Sequence, residues 1–171
     1  SAIMLSGETA AGKYPVLALQ TMVRIAERTE RDIDYRGRFN ARDLEENPDV
    51  TNAICHATCT TAHDLNAKAI ITVTKSGRTA RNISQFRPDC PIMGCATHPQ
   101  TCRQLNLAWG ITPLHLREED DTVVLFDNAI REVKNKGHVV EGDLTVMTAG
   151  VPLGRTTKSN LLKVQIVGES S

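Results

Sequence analysis

From residue 69 onward, short apolar runs alternate with amphipathic stretches at regular intervals. The runs at 69–73, 91–95, 111–116, 144–149 and 162–167 are rich in aliphatic residues, as in strands covered on both faces. Between them, 79–86, 99–108 and 121–136 carry helical spacing. Pro99 after Thr97-His98 marks a helix start with Thr97 as its N-cap, and Gly110 and Gly137 fall where helices end. This alternation predicts an α/β fold: a doubly wound, mostly parallel five-stranded sheet with helices on both faces.

The chain before residue 69 reads differently. Ala2-Ile3-Met4-Leu5 has the pattern of a strand, Ser6 to Ala10 that of the following turn, and Pro15 to about Tyr35 that of one long helix with apolar Leu19, Met22, Val23 and Ala26. One strand and one helix cannot bury their own apolar faces, so segment 1–36 is expected to be half of a larger unit. The polar stretch 37–48 reads as a linker. Segment 49–171 reads as a domain of its own. It opens with a helix to about Asn66, capped by Asp49 or Thr51 and rich in Ala, Cys and Thr.

Composition narrows the function. The formal net charge of zero and 4% aromatic content argue against nucleic acid and anionic membranes as partners. No apolar run approaches the roughly 20 residues of a membrane span. The five cysteines, odd in number and without a CxxC pair, suggest reduced thiols and a cytoplasmic location. Cys55, Cys59 and His63 share one helical face, read as a packing stripe rather than a metal site, because free cysteine is among the most buried residue types. His56, His98, His115 and His138 show no base-and-nucleophile arrangement. Trp109 is expected to pack a helix end, and Glu118-Glu119-Asp120-Asp121 to cap the following helix.

Two stretches carry candidate phosphate chemistry. Gly7-Glu8-Thr9-Ala10-Ala11-Gly12-Lys13 satisfies the Gly-x4-Gly-Lys core of a P-loop, but Tyr14 stands where a Mg²⁺-binding hydroxyl is required, so it is rejected as a nucleotide site. Thr74-Lys75-Ser76-Gly77-Arg78-Thr79 joins a strand to a helix start, where free backbone N–H groups and the helix dipole favour an anion. The hydroxyls of Thr74, Ser76 and Thr79 and the cation of Lys75 complete such a site. Gly77 and Arg78 belong to the same candidate set, with pairing across an interface as the alternative for Arg78, because a cation in the first helical turn opposes the dipole. Gly150 to Thr157 follows another strand, and in doubly wound sheets such loops converge at the carboxyl edge. There Arg155 would grip a second phosphate with its planar fork, in a turn shaped by Gly150, Pro152 and Gly154 and followed by Thr156 and Thr157.

Met4-Leu5-Ser6-Gly7-Glu8-Thr9-Ala10-Ala11-Gly12-Lys13-Tyr14-Pro15 resembles the segment that ends the catalytic barrel of pyruvate kinases. Ala69 to Ala80 resembles that family's effector-binding loop. Phe86-Arg87-Pro88, Pro91-Ile92, Pro99-Gln100-Thr101 and Gly150 to Asn160 extend the likeness in the family's order across nearly the whole chain.

The resemblance implies a carboxy-terminal regulatory domain preceded by a βα remnant of a (β/α)8 barrel, with the last strand antiparallel. It implies phosphoryl transfer from phosphoenolpyruvate to ADP in the full-length parent, with Mg²⁺ and K⁺ held by ligands in the missing barrel and none by this chain. Only Ser6, Glu8 and Thr9 would line the edge of the catalytic pocket, so the fragment alone is expected to be inactive. The implied partners are a homotetramer and a phosphorylated effector: fructose 1,6-bisphosphate, or AMP or ribose 5-phosphate. A self-standing phosphometabolite-binding module and a purely structural assembly domain are the alternatives.

Overall fold

The computed structural model describes residues 2–41, 49–151 and 158–169. In chain order the elements are α1 (Gly7–Ala10), α2 (Pro15–Arg31), α3 (Tyr35–Asn40), α4 (Val50–Asp64), β1 (Ala69–Val73), α5 (Arg78–Phe86), β2 (Ile92–Ala96), α6 (Pro99–Leu105), β3 (Ile111–His115), α7 (Thr122–Asn135), β4 (Leu144–Ala149) and β5 (Leu161–Ile166). The five strands form one sheet in the order β3-β2-β1-β4-β5. The ladders joining β3, β2, β1 and β4 are parallel, and β5 runs antiparallel to β4. A parallel ladder needs a crossover, supplied by α5, α6 and α7, whereas an antiparallel pair such as β4 and β5 needs none. The expected α/β architecture is present.

Each parallel strand divides its side chains between two cores, which explains why β1 and β2 read as continuous apolar runs. Ala69, Ile71, Val73, Met93, Cys95 and Met147 pack with Leu125, Phe126, Ala129 and Val133 of α7. On the other face Ile70, Ile92 and Val146 pack with Cys55 and Cys59 of α4, Ala80 and Ile83 of α5 and Leu105 of α6. The chain steps from β1 through β2 to β3 in one direction, then returns through α7 to place β4 on the other side of β1. That reversal opens a crevice at the carboxyl ends of β1 and β4.

Four local expectations are corrected. Residues 2–5 form no strand, because a strand needs ladder partners and the described sheet offers them none. The long helix expected to reach Tyr35 ends at Arg31, and Asp34 begins a new one by accepting the Gly37 N–H at 2.8 Å. The stretch read as linker from residue 37 includes most of α3, whose Phe39 is only 6% exposed; residues 42–48 lie outside the described set. Thr97 is not a cap: His98 takes the N-cap position of α6, and the buried Thr97 hydroxyl has no partner among the described residues.

The segments on either side of α3 differ sharply in burial. Helix α2 buries none of its residues, and its Leu17, Met22 and Ile25 line an open groove of ≈ 790 Å³ with Ile3, Met4 and Leu5. By contrast Phe39 stacks on His56 at 5.0 Å and meets the edges of His63 at 4.8 Å and Phe86 at 6.0 Å. Arg36 binds the Asp89 carboxylate at 3.1 Å, Asn66 at 2.8 Å and the His63 carbonyl. Thus α3 is anchored to the sheet domain. Among the described residues no helix is long and apolar enough to cross a membrane.

Candidate functional site

The loop after β1 is built by its own backbone. Thr74 extends the ladder by donating its N–H to the Cys95 carbonyl at 2.9 Å, and its hydroxyl accepts the Gly77 N–H at 3.0 Å. Gly77 then takes the left-handed conformation, φ 76°, at the N-cap position of α5, which favours glycine. The Lys75 carbonyl accepts from the Thr101 hydroxyl at 3.1 Å, and the Ser76 carbonyl accepts from Arg81 at 3.0 Å. Bound at these points, the loop brings the first N–H groups of α5 to the carboxyl end of β1. Those of Arg78, Thr79 and Ala80 have no acceptor within the helix.

The expected side chains fall into distinct settings. Thr74 and Thr79 are buried, while Lys75, Ser76 and Arg78 are exposed. The Lys75 ammonium lies 3.2 Å from the Glu118 carboxylate, an exposed pair that a stronger anion can displace. Gly77 holds the N-cap position of α5, and Thr79 Oγ1 lies 2.6 Å from Ser159 Oγ. The Arg78 charge helps to lower the Asp49 carboxyl pKa, which is chiefly depressed by its hydrogen bond from Lys158.

The second loop shares this crevice at its neck. Gly150 ends β4, and Asn160 clamps Val151 by accepting its N–H at 2.9 Å and donating to its carbonyl at 2.8 Å. Lys158 reaches Asp49 at the start of α4, 3.0 Å away. Pro152, Gly154, Arg155, Thr156 and Thr157 lie outside the described residues. The bases of the two loops meet through Thr79 and Ser159, although the chain separates them by 80 residues. Sequence reasoning left out Ser159, Asn160 and Glu118, because their roles depend on partners from other elements.

Remaining candidates resolve structurally. The Ser6 carbonyl accepts the N–H groups of Thr9 and Ala10 at 3.1 and 2.9 Å and the Thr9 hydroxyl at 3.2 Å. Backbone N–H groups of Glu8 itself and of Ser6 hold the Glu8 carboxyl below its usual range. The P-loop-like stretch thereby spends N–H groups on its own short turn, as its rejection requires. Cys55, Cys59 and His63 lie buried in the α4 face of the core. Burial pushes the Cys55 thiol up to about 12. His63 Nε2 lies 3.3 Å from both the Asp89 N–H and an Asp89 carboxylate oxygen, and burial lowers its pKa against the opposing pull of that carboxylate. Trp109 packs against Tyr35 and under Arg87, with its indole N–H donated to Glu30 at 3.1 Å. Asp121 caps α7 by accepting the N–H groups of Val123 and Val124 at 2.7 and 3.1 Å. Among the described residues no group of three or more His, Cys, Asp or Glu side chains converges as a metal site would require.

Comparison with known proteins places this geometry in a family. Residues 52–165 match the family model described as the pyruvate kinase alpha/beta domain. The chain is 40% identical over 168 residues to a pyruvate kinase of Sporosarcina psychrophila, covering 98% of this chain and 29% of that protein. It is 39% identical over 166 residues to that of Clostridium acetobutylicum, covering 97% and 35%. Among solved structures, a pyruvate kinase from Cryptosporidium parvum superposes with a TM-score of 0.83 at 34% identity, over 96% of this chain and 32% of that one. A second, described as in complex with ADP, gives 0.79 at 34% identity over 96% and 33%. The chain thus spans about a third or less of the length of these relatives.

Proposed function

This chain belongs to the pyruvate kinase family, and we propose that it serves as the regulatory portion of such an enzyme, binding a phosphorylated effector in the crevice between β1 and β4. The α5 N-terminus carries this reading. Its first N–H groups, without acceptors in the helix, follow β1 at the sheet's reversal point, after the left-handed Gly77 and the Thr74 turn. That is the geometry a phosphate requires. Lys75 would exchange Glu118 for a phosphoryl oxygen, and Arg155 would hold a second phosphate, which favours fructose 1,6-bisphosphate over AMP or ribose 5-phosphate.

The parent enzyme would transfer a phosphoryl group between phosphoenolpyruvate and ADP in the cytoplasm. Transfer needs metal ligands and a pocket assembled from several barrel loops. The residues of this chain do not fit a resident Mg²⁺ or K⁺: among those described no ligand set converges, and the Glu8 carboxylate is occupied by backbone donors. This supports the reading that both ions would be held by barrel loops outside this chain and that the chain alone would be inactive. The exposed apolar face of α2 supports attachment to the remainder of a barrel rather than a self-standing module. The small-residue helix α4 is the surface for tetramer contacts, and effector binding activates by differing in affinity between quaternary states.

Calorimetric titration of the full-length protein with fructose 1,6-bisphosphate, AMP and ribose 5-phosphate tests the site. Preferred binding of the bisphosphate is expected, with about 2.7 kcal/mol of added stability at about 100 times the dissociation constant. Absence of binding by all three would overturn the effector role and leave an assembly domain.

A further inference from the structure

Helix α3 is held to the sheet domain by a single guanidinium and a single ring. Arg36 Nε donates to the Asp89 carboxylate at 3.1 Å, and its Nη2 donates to Asn66 Oδ1 at 2.8 Å and to the His63 carbonyl. The sheet domain sets all three acceptors without help from α3. His63 lies in the last turn of α4, Asn66 takes the left-handed position just after that helix at φ 49°, and Asp89 follows α5. The Phe39 ring meets His63 edge-on at 4.8 Å and stacks on His56 at 5.0 Å.

Beneath this contact lies a titratable group. The His63 side chain is only 7% exposed, and its Nε2 stands 3.3 Å from both the backbone nitrogen and a carboxylate oxygen of Asp89. These two neighbours make opposite demands. A neutral ring with its proton on Nδ1 accepts the Asp89 N–H, whereas an imidazolium donates to the carboxylate. The charged groups acting on the ring are Arg36 from α3, Asp89 from the turn after α5 and Asp64 beside it on α4. Burial is the largest influence and lowers its pKa; Arg36 lowers it further, and Asp89 and Asp64 oppose.

Docking of α3 works against the imidazolium in two ways. Phe39 takes water away from the ring, and Arg36 sets a cation nearby that shares the Asp89 carboxylate. With α3 released, Asp89 and Asp64 stay behind, and a protonated His63 has Asp89 to itself. We propose that α3 is a proton-released latch between segment 1–36 and the sheet domain, with His63 as its sensor. The ring is harder to protonate under docked α3 than under released α3. Docking is therefore complete at high pH and weakens as pH falls below the released-state value, by at most tenfold per pH unit for one proton. Release would let go of the segment that carries the exposed apolar face of α2.

The test is hydrogen exchange by mass spectrometry on the full-length protein across the acid limb, with rates corrected for the pH dependence of chemical exchange. The peptide spanning α3 reports docking through the N–H groups of Arg38 and Ala41, bonded to the Asp34 and Gly37 carbonyls at 3.1 and 3.0 Å. Its protection should fall below about pH 6.5 by up to tenfold per unit, while β1 and β4 stay protected. His63→Gln keeps an acceptor for the Asp89 N–H but takes up no proton, and should leave α3 protected with little pH dependence. Arg36→Met keeps the alkyl stem of a half-exposed side chain and should fold whether or not His63→Gln does. It should lower α3 protection at high pH and reduce the pH dependence, because no docking cation then faces the ring. No acid loss in the wild type, a full loss retained in His63→Gln, or an unchanged slope in Arg36→Met would overturn the latch. So would parallel loss of protection in β1 and β4, which would mark general unfolding and not release of one helix.

Discussion

Replacing Phe39 by alanine removes the one buried residue of α3 and therefore measures how firmly that helix is docked. The ring stacks on His56 at 5.0 Å with an interplanar angle of 14°, and meets His63 and Phe86 edge-on at 4.8 and 6.0 Å. Truncating a buried Phe to Ala costs about 3–5 kcal/mol, through lost transfer energy and the cavity left behind. Three aromatic neighbours, two of them from the rigid helix α4, cannot collapse far into the space, which favours the upper half of that range. Against a total stability of about 5–15 kcal/mol, this is a large fraction. Urea unfolding followed by far-UV circular dichroism measures the loss. The lone tryptophan, Trp109, adds a local probe, because its ring lies 5.3 Å from that of Tyr35 at the start of α3. The expected result is a fall in midpoint with an altered Trp109 emission. A cost below about 1 kcal/mol with unchanged emission would refute the docking, and 37–48 would then be a linker throughout.

Two further predictions follow from named contacts. His63 has its pKa lowered, first by burial, then opposed by the Asp89 carboxylate and reinforced by Arg36, with Asp64 opposing weakly. A depressed folded-state pKa means that its contribution is complete above the unfolded value of about 6.5 and is lost as pH falls through the folded value. Melting temperature should therefore drop as pH falls below about 6.5, and His63→Gln should flatten that drop; an unchanged profile in the variant would place the titration elsewhere. Gly77→Ala puts a Cβ at φ 76°, 3.1 Å from both Leu105 and Thr101 side chains, and the left-handed backbone alone costs about 1–2 kcal/mol. It should lower thermal stability and weaken phosphate binding together, and a variant as stable as wild type would show that the loop does not need its left-handed turn.

Much of this molecule could be read along the chain because the deciding interactions are local or repeat with a fixed period. Ala69–Val73 and Leu144–Ala149 are apolar throughout because both faces of a parallel sheet are covered, and both were located to the residue. Asp121 caps α7 through N–H groups two and three residues ahead, a bond that needs no other element. The loop 74–79 was legible for the same reason: strand, glycine turn and helix start follow one another.

Tertiary structure decided what depends on distant partners. Residues 2–5 have a strand's pattern and no strand, since pattern cannot supply the neighbour that completes a ladder. The composition of 36–41 is polar, yet α4 and α5 provide a pocket for Phe39, the residues after them provide Asn66 and Asp89 as partners for Arg36, and these fix a helix there. Nothing in the sequence joins Thr79 to Ser159, 80 residues away. Only the reversal of strand order that sets β4 beside β1 brings them to 2.6 Å and buries them, because strand pairing, and not chain proximity, determines which loop ends share a crevice.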